Sequence, residues 1–116
     1  MTASPLIPGA VYWADLGDGA GREQSGRRPC LVVSSSAHIR EVDSLITVMP
    51  CTARGRGWIN HVPLTGQVEL QRPTYVMTEQ VRTISRERLI RFAGLADAEC
   101  LNETLGWLRA WTPSAA

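Results

Sequence analysis

The stretch that decides the fold reads G-R-E-Q-S-G-R-R-P-C-L-V-V-S and runs from Gly21 to Ser34. Its first half is polar and contains two glycines, which is typical of a loop. Its second half, Cys30 to Ser34, is apolar and β-branched and predicts a buried central strand. Pro29 stands at the start of that strand, where a proline removes no ladder donor. The pattern therefore predicts that Arg28 lies at the junction of a loop and a rigid strand.

Short apolar runs on both sides of this stretch predict a mainly β domain. Turn residues separate runs that are rich in β-branched and aromatic side chains. The predicted strands are Ala10–Leu16, Pro29–Ser35, Leu45–Met49, Trp58–Leu64, Thr74–Thr78 and Leu89–Leu95. We expect Pro50 to stop the third strand, Thr65-Gly66 to turn the chain, and Glu79–Thr83 to form a turn or strand end. Many short strands followed by one helix favour a small, curled antiparallel barrel.

The last segment predicts that helix, and it carries two apolar stripes. Asp97 is expected to cap its N-terminus, as Ser85 is expected to cap a single helical turn ending at Arg88. The predicted core stripe consists of Ala98, Leu101, Leu105 and Leu108. The second stripe consists of Cys100, Trp107 and Trp111. This second stripe is expected either to pack over the barrel or to form a dimer contact.

Length and composition predict one globular domain. The chain has 116 residues, of which 44% are hydrophobic and 20% charged. We expect a disordered tail over residues 1–8, a domain over 9–112 and a short tail over 113–116. No signal-peptide pattern and no apolar run near the ~18 residues of a membrane helix is visible, so we expect a cytoplasmic protein and no membrane contact.

The cysteines favour a reducing compartment. Cys30, Cys51 and Cys100 are odd in number, widely spaced and free of any C-x-x-C pair. Such thiols are typical of a cytosolic protein rather than of a disulfide framework or zinc site. With only two histidines besides, we expect no metal site.

The charge pattern favours an anionic partner. All 12 basic residues are arginine, and three of them, Arg22, Arg27 and Arg28, cluster in the first loop. Codon bias is the favoured explanation for the absence of lysine, but every basic side chain is still a planar guanidinium suited to phosphate oxygens. The first loop also contains four glycines and is longer than an ordinary hairpin connection, so we expect it to be mobile until a ligand binds.

The run Gly21–Ser34 resembles the signature of the MazF/PemK toxin family, which usually reads G-S-E-Q-x-G-x-R-P-x-L-V-V-S. Two further stretches fit in the same order, Val48–Ala53 (V-M-P-C-T-A) and Glu79–Ile84 (E-Q-V-R-T-I), and a terminal helix follows Gly94-Leu95. The resemblance covers about Gly9 to Trp111. It implies an SH3-like β-barrel with a C-terminal helix, in the fold shared by CcdB and MazF, that assembles as a homodimer.

The resemblance also implies a function. Members of this family are ribosome-independent, metal-independent endoribonuclease toxins of type II toxin–antitoxin systems, and they cleave single-stranded RNA at a short sequence. The ribose 2′-OH attacks the adjacent phosphate and leaves a 2′,3′-cyclic phosphate and a 5′-OH. The implied partners are the RNA and a MazE-like antitoxin whose flexible, partly acidic tail fills the RNA groove, and no cofactor is implied.

Three residues are the catalytic candidates. The family's arginine before proline and its threonine after the third strand correspond to Arg28 and Thr52. An arginine pKa above ~12 makes a poor base, so we expect Arg28 to stabilise the phosphorane and to act as an acid. Glu23 is expected to act as a base or to orient Arg28, and a solvated loop charge is the equal alternative. For Thr52 the alternative is a residue that caps a turn.

Contacts with RNA are expected from six further residues, namely Arg22, Gln24, Arg54, Arg56, Trp58 and Gln80. Single-stranded RNA is bound by stacking on aromatic rings and by polar groups that meet splayed bases. Trp58 suits stacking, although a tryptophan at a strand start is also typical of a core. His38 and His61 are not expected to take part, because neither has a visible dyad partner.

Three departures from the family pattern leave the cleaved sequence open. Arg22 replaces a small residue, Glu79 replaces the aspartate of a D-Q pair, and Trp58-Ile59-Asn60 replaces a Y-P-F-like run. Two other functions stay open at this point. One is a gyrase poison like CcdB, for which Trp111 is the relevant residue, and the other is a non-catalytic small-barrel module that binds RNA or peptide.

Overall fold

Eight strands and two α-helices make up the fold in the computed structural model, which describes residues 4–114. The strands are β1 (Ala10–Asp15), β2 (Arg27–Val32), β3 (Leu45–Thr52), β4 (His61–Pro63), β5 (Gly66–Val68), β6 (Tyr75–Met77), β7 (Arg82–Ser85) and β8 (Leu89–Ala96). The helices are α1 (Ser36–Glu41) and α2 (Ala98–Trp111), and two 3-10 turns lie at Thr78–Gln80 and Arg86–Arg88.

All strand pairs are antiparallel, and the eight strands form one continuous sheet. The strand order is β4-β6-β3-β2-β1-β8-β5, and β7 pairs with the other part of β3. The predicted fold class, mainly β and antiparallel with a C-terminal helix, is confirmed. Across residues 4–114 the pairing runs from β4 to β5 and does not close into a ring.

Strand β2 occupies the centre of the sheet because both of its faces are apolar. Cys30 and Val32 pack into one core cluster with Tyr12, while Leu31 packs into a second cluster with Met49. β2 pairs with β1 on one edge and with β3 on the other. The central position expected of this strand is therefore confirmed, but it begins two residues earlier than predicted, at Arg27, and ends at Val32.

Strand β3 continues through Pro50, so the expectation that this proline stops it is wrong. On one edge β3 changes partner at this point, from Arg82 of β7 opposite Val48 to Val76 of β6 opposite Cys51. A missing N–H interrupts no ladder there, which is why the proline is tolerated. The strand consequently reaches Thr52.

The predicted strand Trp58–Leu64 is shorter than expected. β4 begins at His61, whereas Trp58 is 43% exposed and precedes the strand. The predicted turn at Thr65-Gly66 is also only partly right, because Gly66 opens the short strand β5, which pairs with β8. Three-residue strands present too few alternating positions for a period-2 pattern to be recognised.

The terminal helix begins as predicted and packs through members of both predicted stripes, since Leu105, Leu108 and Trp107 lie half-buried against the core. The Asp97 carboxylate accepts a hydrogen bond from the backbone N–H of Cys100 at 2.8 Å, so the cap is confirmed. Cys100 and Thr104 are the buried residues, whereas Ala98 is exposed. Trp107 stacks on Trp111 with ring centroids 5.6 Å apart.

The polar segment before β3 forms the short helix α1. The Ser35 side chain caps it by accepting a hydrogen bond from the His38 N–H. Ser85 caps the 3-10 turn Arg86–Arg88 in the same way, as predicted, by accepting from the N–H of Glu87. Side-chain acceptors of this kind satisfy backbone donors that a short helix leaves free.

The predicted N-terminal tail lies partly outside the described residues. Within it, the Pro5 carbonyl accepts a 2.7 Å hydrogen bond from Tyr12, and Leu6 packs against the core. No helix in residues 4–114 is long and apolar enough to cross a membrane. The same residues contain no group of three His, Cys, Asp or Glu side chains placed to hold a metal ion.

The close approach of β5 to β8 generates a stability prediction. Gly94 has φ +140°, and a Cβ there would lie 2.1 Å from the carbonyl oxygen of Gln67. Because the obstacle is backbone, we expect Gly94→Ala to lower the free energy of unfolding by about 2–4 kcal/mol.

Gly106 of α2 is the control, since a Cβ added there would meet nothing closer than 3.8 Å. Gly106→Ala should stabilise by about 0.5–1 kcal/mol. Denaturant titration measures both changes, and equal midpoints would contradict the packing.

Candidate functional site

Arg28 and Thr52 lie on adjacent strands in matching positions. The β2–β3 register pairs Cys30 with Pro50, Leu31 with Met49 and Val32 with Val48. Continuing that antiparallel register by two residues brings Arg28 opposite Thr52. The two residues, 24 positions apart in sequence, therefore occupy corresponding positions just beyond the last bonded pair of this ladder.

The Arg28 guanidinium is held by the first loop rather than by an acid. The side chain is half-buried, and its Nε donates a 3.2 Å hydrogen bond to the carbonyl of Ser25. No carboxylate of the described residues forms an ion pair with Arg28, and Glu23 is not its hydrogen-bond partner. The guanidinium therefore keeps N–H groups that can donate to an anion.

A second arginine reinforces this charge. Arg82 pairs with Val48 in the β3–β7 ladder and donates a 3.3 Å hydrogen bond from Nη1 to the carbonyl of Gln24. Burial raises the pKa of the Cys30 thiol to about 12, and the charges of Arg82 and Arg28 oppose that rise. Both guanidinium groups thus act on one buried thiol.

Thr52 is buried, and its hydroxyl accepts a 3.0 Å hydrogen bond from the backbone N–H of Arg54. It therefore caps the turn of the second basic loop, which was the alternative weighed for this residue. The hydroxyl keeps its own proton for donation. A turn-capping role and a donor role are compatible at this position.

Most of the predicted RNA-binding residues line one groove, here called the loop groove. It has a volume of about 420 Å³ and is lined by Gly21, Arg22, Glu23, Gln24, Arg56, Trp58, Met77, Glu79 and Gln80. Gln80 Nε2 donates a 3.1 Å hydrogen bond to the carbonyl of Arg22, which docks the first loop onto the 3-10 turn. Arg54 is the one predicted RNA contact that does not line this groove.

The aromatic wall of the loop groove is Trp58. Its ring is 43% exposed, and the guanidinium carbon of Arg56 lies 5.7 Å from the ring centroid. The His61 ring packs on it at 4.9 Å. A half-exposed indole with a cation at its face is suited to stacking on a base.

Arg28 lines a second, larger cavity, here called the arginine cavity. Its volume is about 750 Å³, and its charged lining residues are Arg27, Arg28, Arg72, Arg91 and Glu69. Arg91 lies over the ring of Trp13, 5.8 Å from the centroid. Glu23 and Arg28 thus belong to neighbouring cavities, and their link is the loop residue Ser25, which lines the arginine cavity and holds Arg28.

Sequence reasoning missed one cluster beside the loop groove. His61 Nε2 lies 3.0 and 3.1 Å from the two carboxylate oxygens of Glu79, and Asn60 Nδ2 donates to Glu79 Oε1 at 2.8 Å. The expectation that neither histidine has a partner is wrong, since His38 Nδ1 also lies 2.7 Å from Ser34 Oγ. The only sequence signal is the E-Q pair, because β4 and β6 bring residues 61 and 79 together through long-range pairing.

The 3-10 turn that carries Glu79 and Gln80 is also held from behind. Trp111 Nε1 of α2 donates a 3.1 Å hydrogen bond to the hydroxyl of Thr78, which itself donates to the carbonyl of Asn60 at 2.8 Å. The end of α2 therefore fixes one wall of the loop groove. This contact assigns the exposed Trp111 a packing partner within its own chain.

The sequence model of the family described as PemK-like, MazF-like toxin of type II toxin–antitoxin system matches residues 7–112. The chain is 31% identical over 77 residues to the endoribonuclease toxin MazF of Escherichia coli K12, and the match spans 66% of each chain. It is 35% identical over 88 residues to the endoribonuclease EndoA of Bacillus subtilis 168, covering 70% of this chain and 72% of EndoA.

The fold is similar to that of MazF from Deinococcus radiodurans. The crystal structure of that protein superposes with a TM-score of 0.81 at 28% identity, covering 94% of this chain and 97% of the relative. Its MazE–MazF complex superposes with a TM-score of 0.73 at 29% identity, covering 91% and 94%.

The buried thiols beneath the site generate a prediction about reactivity. Cys30, Cys51 and Cys100 are all buried and free, and burial raises the pKa of each. A rise from 9.0 to about 12 lowers the thiolate fraction of Cys30 at pH 8 about a thousandfold. We expect no thiol of the native protein to react with a disulfide reagent within minutes, and all three to react in guanidinium. Rapid labelling of Cys30 in the native state would contradict its burial.

Proposed function

This chain belongs to the family of PemK-like, MazF-like toxins of type II toxin–antitoxin systems, and we propose that it is an endoribonuclease that cleaves single-stranded RNA at a specific short sequence. The proposed reaction needs neither ribosome nor metal. The observation that most supports the proposal is the β2–β3 register, which sets Arg28 level with Thr52 when it is continued, together with a cavity that Arg28 lines with three further arginines.

The proposed reaction is attack of a ribose 2′-OH on the adjacent phosphate. The bond to the 5′-oxygen breaks, and the products are a 2′,3′-cyclic phosphate and a 5′-OH. The charge that builds on the phosphorane oxygens is stabilised by donors held in place before the reaction. Arg28 supplies a planar pair of N–H groups, and Thr52 supplies a hydroxyl.

Two proton transfers complete the step. The 5′-oxygen leaves with a proton, for which Arg28 is the proposed donor. The 2′-OH loses a proton, for which Glu23 is the candidate acceptor, because it is the acidic residue that the first loop contributes to the loop groove. Glu23 stands two residues from Ser25, the residue that holds Arg28, so the first loop connects the two groups.

RNA binding is proposed to use the loop groove. Trp58 offers a stacking face supported by Arg56, and Gln24 and Gln80 offer amide groups to splayed bases. Arg22 contributes positive charge along the same wall. Arg54, whose backbone is held by Thr52, extends the basic surface from the catalytic pair.

The binding partners are proposed from the surfaces described above. A MazF relative has been solved with MazE, and we propose that a MazE-like antitoxin covers the arginine cavity and the loop groove with an acidic segment. The exposed Trp111, together with Leu45, Ile90 and Leu95, offers apolar surface for the proposed assembly as a homodimer. Three free buried thiols fit a reducing cytoplasm.

The reaction is tested with long RNA and purified protein in EDTA. We expect cleavage without metal, and loss of cleavage in Thr52→Ala. A single 2′-deoxy substitution on the 5′ side of the scissile bond should abolish cleavage at that bond, because the nucleophile is then absent. The products are identified by their cyclic phosphate and 5′-OH ends. Cleavage of the substituted strand at the same bond would refute 2′-OH attack. If the wild-type protein cleaves no RNA, the endoribonuclease proposal fails, and the two other functions, a binding module and a gyrase poison, stay open.

A matched pair of variants separates catalysis from bulk charge. Arg27 and Arg28 are adjacent and both line the arginine cavity, so long-range attraction for RNA acts on them about equally. An ammonium lacks the fork that donates two fixed hydrogen bonds, and loss of one such donor costs about 10²–10³ in rate. Single-turnover cleavage by Arg28→Lys should fall at least ~10²-fold with binding little changed. Arg27→Lys should lose only a few-fold, less at high salt. Equal losses would move the catalytic assignment away from Arg28.

A further inference from the structure

We propose that His61 is a positioning residue that fixes the Glu79 carboxylate on the wall of the loop groove, where it selects the RNA sequence. This inference rests on the proposed function and extends it to the choice of base. It is carried by three observations: the contacts of Glu79, the burial of His61, and an unpartnered nitrogen on the His61 ring.

The Glu79 carboxylate is held on two sides. His61 Nε2 lies within hydrogen-bond distance of both oxygens, and Asn60 Nδ2 donates to Oε1 at 2.8 Å. The side chain is still 27% exposed and lines the loop groove beside Gln80. An ionised carboxylate only accepts hydrogen bonds. In this orientation it therefore offers an acceptor, and no donor, to whatever enters the groove.

His61 itself does not meet RNA. Its side chain is 3% exposed, it pairs with Met77 in the β4–β6 ladder, and the Trp58 ring lies against it. A group so buried acts through a neighbour. The neighbours that it contacts, Glu79 and Trp58, both line the groove.

The unpartnered ring nitrogen Nδ1 indicates that the histidine is present for its other ring nitrogen, Nε2. Nδ1 is buried and has no hydrogen-bond partner among residues 4–114. A buried polar atom without a partner is costly, so an apolar residue would pack here more favourably unless Nε2 were needed. Nε2 must carry a proton in order to donate to Glu79, which leaves Nδ1 as the orphaned atom.

The consequence for RNA is a preference among bases. Bases splayed from a single strand are read on their edges, and at this point of the wall the acceptor-only carboxylate of Glu79 favours a base edge that carries an amino group over one that carries a carbonyl. A Glu79 side chain released from His61 would keep only the Asn60 hydrogen bond to Oε1, so its second oxygen would lose its fixed direction and much of this discrimination. The backbone reaction at Arg28 and Thr52 would still proceed, because those residues lie on other strands.

The test uses an RNA pool with a randomised segment and reads the cleaved sites. We expect His61→Phe to lose about tenfold in preference for an amino-bearing base at one position of the cleaved sequence, with the other positions unchanged. Glu79→Gln should lose preference at the same position, and combining the two should add nothing. His61→Gln keeps a donor and should retain most of the preference. His38→Gln, which alters the other histidine, should change nothing.

A spectroscopic measurement covers the case in which His61→Phe does not fold. The chain contains only two histidines, so long-range proton–nitrogen NMR spectra of the wild type resolve both rings. We expect a proton on His61 Nε2, and its signal should shift in Glu79→Gln. A proton on Nδ1 alone would overturn the proposal, as would unchanged base preference in a folded His61→Phe. If the wild type cleaves no RNA, the proposed function fails, and this spectrum still decides the geometry of His61 and Glu79.

Discussion

The double pairing of β2 is the constraint on which the rest of the structure depends. β2 is bonded to β1 on one edge and to β3 on the other, and its residues alternate between two core clusters. A slip of one residue would exchange the two clusters and bury the wrong side chains. The register is therefore strongly specified, and it sets the position of Arg28 relative to Thr52 at the open end of the same ladder.

The first loop is held by side chains that grip its backbone. Gln80, Arg82 and Arg28 donate to the carbonyls of three loop residues, which are Arg22, Gln24 and Ser25. Each of these bonds uses only part of a donor-rich side chain, so two guanidinium groups keep free N–H groups for an anion. A ligand that takes these donors would compete with the loop carbonyls, which couples the position of the loop to occupancy of the site.

Two of the predicted boundaries failed for the same physical reason. Pro50 and Gly66 carry local signals for a break or a turn, but in the sheet each lies where the partner strand changes or the backbones approach closely. A single-residue propensity describes what the chain does in isolation. The position of a partner strand overrides it, because a proline costs nothing where no ladder bond is due.

The candidate site also combines features that the sequence predicted with features that only the fold decided. Every predicted site residue except Arg54 and Thr52 lines one of the two cavities. Most of these residues are polar or aromatic side chains in predicted loops, and such residues can be recognised from the sequence. The separation of Glu23 from Arg28 left no trace in the sequence, and the contact between His61 and Glu79 left only the E-Q pair. Their cause is the pairing of β4 with β6 and the docking of the first loop on the 3-10 turn.

The sequence by itself determined the class of fold, the central strand, the capped terminal helix and the identity of the family, because these depend on local patterns and on one ordered set of motifs. Only the tertiary structure decided which side chains meet. The continued register of β2 and β3 sets Arg28 level with Thr52, and His61 contacts Glu79, through strand pairings between residues far apart in sequence. Loop closure over such distances is governed by the register of the whole sheet, and no short stretch of sequence encodes it.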